Sequence, residues 1–165
     1  MTPIKMLKYK YYTLKFCNFV AMKPFGAAFE YERERNRELL LAFRSLLAQA
    51  KRVNTKEIFK QLVEMPCSRF WVSPERATQV VYRLQRGDAL NDKSYATKKA
   101  MFMEIFQRTM RIKKREPSRQ IPDIVSEVVC QRAPRFYLTP ESARVILIQA
   151  KKQWKEEQQK QQHSR

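Results

Sequence analysis

Glycine is nearly absent from this chain, which has only Gly26 and Gly87 in 165 residues. Tight β-hairpins rely on glycine or Asn-Gly turns, so the scarcity excludes a hairpin-rich fold and points to an all-α chain. Histidine occurs once, as His163 in a polar tail, and Cys17, Cys67 and Cys130 form no Cys-x-x-Cys pair. A zinc centre needs three or four such ligands at close spacing, so no metal site is expected. Scattered cysteines in odd number argue against a disulfide scaffold and for a reducing, cytoplasmic setting. In the aromatic stretch from Met1 to Phe19 lysines interrupt the apolar residues, so no continuous span of roughly 20 exists for a membrane helix. Acids are few as well: 16 Asp plus Glu stand against 34 Lys plus Arg, a net charge of +18.

What is present is said twice. Arg69-Phe70-Trp71-Val72-Ser73-Pro74-Glu75 returns 66 residues later as Arg135-Phe136-Tyr137-Leu138-Thr139-Pro140-Glu141. An internal repeat separates residues kept for the fold from residues kept for one copy's task. The fold expected is two tandem three-helix units with helix-turn-helix-like character. Residues 26–92 form the first unit, 93–154 the second, and 155–165 a polar tail that frays. Residues 1–25 form a basic, aromatic leader without an acid. Its apolar stretch from Phe16 to Met22 is short for a signal peptide and lacks a clean small-x-small cleavage site, so it reads as an upstream extension ahead of a start at Met22.

Helical period marks the elements. Leu39, Phe43, Leu46 and Ala50 share the buried face of the first helix. Ile58, Leu62 and Val63 do so in the second, which Pro66 stops. Ser73 caps the third helix, Pro74 opens it and Glu75 meets its positive end. Ala77, Val80, Val81 and Leu84 line its inner face. The second copy repeats the plan with Phe102, Ile105, Phe106 and Thr109, then Ile124, Val128 and Val129, then Ala143, Ile146, Leu147 and Ala150. The offset is 66 from the second helix onward but reads as 63 in the first, where Phe43 matches Phe106. That difference places extra residues in the basic turn before Pro117.

The charge is grouped. Arg33, Arg37, Arg44 and Lys51 form a stripe opposite the apolar face of the first helix, and Arg37, Arg44 and Lys51 of that stripe are candidate phosphate contacts. Nine bases between Lys93 and Arg119 face only Glu104 and Glu116, and Arg111, Lys113, Lys114 and Arg115 crowd one turn. Such a turn suits a phosphate clamp, or else a solvated linker. The third helices differ. Arg76, Gln79, Arg83 and Arg86 face outward in the first copy, residue types that reach guanine and adenine edges. An ordinary solvated face is the competing reading. Their counterparts Ser142, Val145, Gln149 and Lys152, with nearby Ile148, give the last helix apolar residues nearly all round. Val145 and Ile148 are therefore expected to meet the core, a second copy or a partner protein. Phe70 and Phe136 read as core wedges rather than base-stacking platforms. Arg69 and Arg135 suit helix-end carbonyls as well as phosphates.

Each unit resembles a trihelical module, though Met65 to Val72 is too long for the tight turn of a helix-turn-helix and holds no glycine. Around the motifs Arg-Phe-Trp-Val-Ser-Pro-Glu and Arg-Phe-Tyr-Leu-Thr-Pro-Glu, residues 30–154 resemble a group of small basic bacterial proteins found with mobile elements and phages. The resemblance implies a DNA-linked context and carries no activity with it. Nothing supplies a positioned base, a carboxylate cluster or a Gly-rich phosphate loop, so neither catalysis nor a cofactor is expected. The reading is a non-catalytic DNA-binding protein. Its alternatives are an RNA-binding module and an adaptor that binds a protein through its apolar helix.

Overall fold

The computed structural model describes residues 27–50, 54–90 and 96–163. The leader, the Met22 start, Lys51 and Lys93 lie outside the described residues. Most of the described residues lie in six helices: α1 (Ala27–Gln49), α2 (Thr55–Glu64), α3 (Pro74–Gln85), α4 (Ala96–Arg115), α5 (Ile121–Cys130) and α6 (Pro140–His163). The all-α expectation holds for the described residues.

The helix starts follow local chemistry. Asn54 accepts from the Glu57 N–H at 3.4 Å, Ser73 from Arg76 N–H at 3.3 Å and Thr139 from Ser142 N–H at 3.1 Å. Each satisfies one donor that the first turn leaves open. The end of α3 is equally local. Gly87 takes φ +83°, its N–H donates to Leu84 O at 3.1 Å, and Asp88 N–H donates to Arg83 O at 3.0 Å. This pair of bonds is the Schellman stop, and glycine enters its left-handed position without strain. The counterpart of Gly87 in the second copy is Gln153. Lacking that stop, α6 continues to His163, so the frayed tail expected from Lys155 is helical as far as the structure describes it.

The 66-residue offset extends through the first helices too. α1 ends at Gln49 and α4 at Arg115, while α2 starts at Thr55 and α5 at Ile121. The basic turn therefore holds no extra residues. The apparent offset of 63 arose because the phenylalanines changed places. At the true offset, buried Asn36 corresponds to Phe102 and buried Phe43 to Thr109. Large and small side chains are exchanged two turns apart, so the same face is filled in a different order.

Packing departs from two units side by side. α1 packs on α2 and α6, and α3 packs on α4 and α5; α3 touches neither α1 nor α2. Each third helix thus completes the other copy's bundle. The exchange occurs at the repeated connections, where backbone bonds come in matched pairs. Cys67 and Ala133, counterparts of each other, exchange N–H···O bonds of 3.1 and 3.0 Å. Phe70 N–H donates to Val129 O at 3.0 Å, and Phe136 N–H to Val63 O at 3.1 Å. An approximate twofold axis therefore passes between Cys67 and Ala133. The Cys67 thiol lies there, 3.3 Å from Arg69 O and 3.3 Å from the counterpart Arg135 O. Burial, with Glu38 nearby, pushes its pKa up to about 12.

One hydrophobic core joins the halves, with Leu39, Leu62, Phe70, Ile105, Ile124 and Leu147 at its centre. Phe70 stacks on Tyr137 with centroids 6.0 Å apart. Tyr137 reaches that position at φ +53°, a conformation an aromatic residue adopts only when its surroundings hold it there.

Candidate nucleic-acid interface

The α3 face turned to solvent is set by the opposite, buried face. With Ala77, Val80 and Val81 inside, Arg76, Gln79, Tyr82 and Arg86 are exposed and Arg83 is half-buried beside them. The Arg76 guanidinium donates to Gln79 Oε1 at 3.4 Å, which holds the two as a polar pair along the helix. Arg83 reaches Ala89 O at 3.4 Å, and Arg86 pairs with Asp88 at 3.4 Å. These contacts are long and exposed, so they release at little cost to a better acceptor. Sequence reasoning passes over Tyr82. The buried period alone places it on this face, where its ring adds an apolar and stacking surface to the basic residues.

Helix exchange gives α3 its neighbours. It lies on α4 and α5, and the basic turn Arg111–Arg115 is the end of α4 itself, so Arg76, Gln79 and Arg83 share a bundle with Arg111, Lys114 and Arg115. Those three bases are exposed. Lys113 is different: its ammonium donates to Pro117 O at 2.6 Å and Arg119 O at 2.7 Å, closing the turn after α4. Arg119 bonds Glu127 at 2.8 Å and Glu116 at 3.0 Å, and these carboxylates raise its pKa. Lys113 and Arg119 shape the turn after α4, while Arg111, Lys114 and Arg115 at the end of α4 stay outward.

The remaining candidates are distributed. Arg37 and Arg44 are exposed on α1, in the other bundle. Arg44 also covers the Trp154 ring at 5.1 Å, and Lys151 covers Phe43 at 4.9 Å, so cation–π contacts hold α6 to α1. Arg69 is half-buried, with its guanidinium 4.4 Å from the Tyr31 ring centroid and 6.0 Å from that of Trp71. Arg135 pairs with Glu64 at 3.1 Å and covers Tyr137 at 5.1 Å. Both arginines brace the repeated connections. Arg108 does the same from α4: it bonds Glu104 at 2.7 Å and Arg132 O at 3.0 Å and covers Phe70 at 5.0 Å. Phe70 and Phe136 are buried, which agrees with the wedge reading. Val145 and Ile148, expected against a core or a partner, are open to solvent in this chain.

Among the described residues, no group of three or more His, Cys, Asp or Glu side chains can hold a metal ion. No helix of the described residues is long and apolar enough to cross a membrane. No known protein-family model, curated protein or solved structure matches this chain.

Proposed function

We propose that this chain is a non-catalytic DNA-binding protein whose α3 face approaches the duplex while the neighbouring basic turn grips phosphate. The observation that carries the reading is the pairing of exposed Arg76 and Gln79, with half-buried Arg83 beside them, and exposed Arg111, Lys114 and Arg115 in one bundle. Arginine and glutamine recognise base edges in a major groove, and clustered bases displace counterions from a phosphate backbone. The helix-turn-helix likeness is retained only in function. α2 precedes α3 in sequence but does not touch it, so α4 and α5 would be the supporting helices. The mobile-element or phage context and a cytoplasmic location belong to the same proposal.

Fluorescence anisotropy of the full chain with duplex DNA, single-stranded DNA and hairpin RNA across a salt series tests it. Tight, steeply salt-dependent binding that favours duplex supports the reading. Preference for hairpin RNA replaces DNA with RNA, and no binding near physiological salt removes the polyanion altogether. A second reading, an adaptor that binds a protein, rests on the exposure of Val145 and Ile148.

A further inference from the structure

The solvent face of α6 carries Glu141, Val145, Ile148 and Lys152 in one line. Spacings of four, three and four residues align them as the seam positions of a coiled coil do. All four are exposed, Val145 at 56% and Ile148 at 62%. Neither Glu141 nor Lys152 has an ion-pair partner among the described residues.

The line is complementary to its own reverse. A second α6 laid antiparallel, with the twofold axis between residues 146 and 147, sets Glu141 of each copy opposite Lys152 of the other. The same operation sets Val145 opposite Ile148 twice. We propose that this face is a self-association surface and that two copies of the chain pair through α6 in this antiparallel register. A parallel pairing sets Glu141 against Glu141 and Lys152 against Lys152, which repel.

The internal repeat supplies a contrast. α3 keeps the charged ends as Glu75 and Arg86, but its middle is Gln79 and Tyr82, and Arg86 is engaged by Asp88. Docking α3 on the α6 of another copy sets Gln79 against Ile148 and covers its polar amide with an apolar side chain. The apolar centre belongs to α6 alone. This proposal does not depend on the nucleic-acid reading, and salt separates the two. At +18 the copies repel each other, so added salt strengthens self-association and weakens binding to a polyanion. One helix face per copy is small beside the roughly 800 Å² per partner of a stable complex, so the dimer forms in proportion to concentration.

Sedimentation velocity of the nuclease-treated full chain in high salt, over a concentration series, is the test. The expected result is a monomer–dimer equilibrium. The Val145→Lys/Ile148→Lys variant should remain monomeric with unchanged helical circular dichroism, since both positions are exposed. At moderate salt, where the exposed ion pairs are less screened, Glu141→Lys and Lys152→Glu should each weaken the dimer about tenfold, and the two together should restore it. Residues 141 and 152 of one chain are about 16 Å apart along the helix, so an intrachain pair cannot explain that recovery. A monomer at every concentration would assign the face to a different protein and overturn the proposal. A dimer indifferent to Val145→Lys/Ile148→Lys, or a double reversal that stays monomeric, would overturn it as well.

Discussion

Replacing Phe70 with alanine tests whether the repeated aromatic is a wedge or a platform for bases. The ring is fully buried, stacks on Tyr137 at 6.0 Å and lies under Arg108 at 5.0 Å. Truncating a buried phenylalanine costs about 3–5 kcal/mol, from forfeited transfer energy and from the cavity left behind. Removal of the stack lies within that range, so about 4 kcal/mol is the expected destabilisation. The main-chain bond from Phe70 to Val129 survives the substitution, so the connection keeps its path. A chain of this size has about 5–15 kcal/mol in total, which leaves Phe70→Ala close to its unfolding threshold. Phe70→Leu keeps most of the volume and should lose less than about 1.5 kcal/mol. Urea unfolding followed by far-ultraviolet circular dichroism reads both, and the midpoint should fall with little change in slope. A loss below about 1 kcal/mol for Phe70→Ala would refute the wedge.

Three other substitutions test the fold, two in the interior and one at the end of α3. Thr109 is fully buried and its hydroxyl lacks a bonding partner, so Thr109→Val should raise stability by about 1 kcal/mol, read as a higher Tm; a fall would mean that the hydroxyl is satisfied. Gly87 has φ +83° and open space around its missing Cβ, so Gly87→Ala should cost about 1 kcal/mol in denaturant, from backbone strain alone. The Cys67 thiol keeps its proton to about pH 12 in the fold, against an ordinary value of 9.0. The unfolded thiol ionises first, so its contribution is complete below pH 9 and is lost as pH rises from 9 toward 12, by about 1.4 kcal/mol per pH unit. The stability gap between wild type and Cys67→Ala should therefore shift in favour of the variant across that range. A gap independent of pH would contradict the buried thiol.

Much of this architecture is legible in the sequence because its signals are local. Ser73 and Thr139 announce helix starts through hydrogen bonds that span three residues, and Pro74 and Pro140 through a backbone angle already set for the first helical position. The period of Ile58, Leu62 and Val63 returns at Ile124, Val128 and Val129, all of them buried. The end of α6 is legible in principle, since Gln153 stands where the first copy has Gly87. The exchange of third helices is not. An amphipathic face says that a helix buries one side and is silent on which helix covers it. The first-helix offset is obscured by the swap of Asn36 and Phe43 for Phe102 and Thr109. At the candidate interface, charge alone does not separate Arg111, Lys114 and Arg115, which are exposed, from Lys113, Arg69 and Arg135, which brace turns and connections. That division depends on carbonyls and rings brought close only by the fold.

The most direct test of the central claim compares wild type with Arg76→Ala/Arg83→Ala and with Arg111→Ala/Lys114→Ala/Arg115→Ala in duplex-DNA anisotropy over a salt series. The account predicts weaker binding for both variants at unchanged thermal stability. The turn variant should also show a shallower dependence of log K on log salt, by about 0.9 for each phosphate that the variant no longer neutralises. Wild-type affinity and salt slope retained in both variants would contradict it.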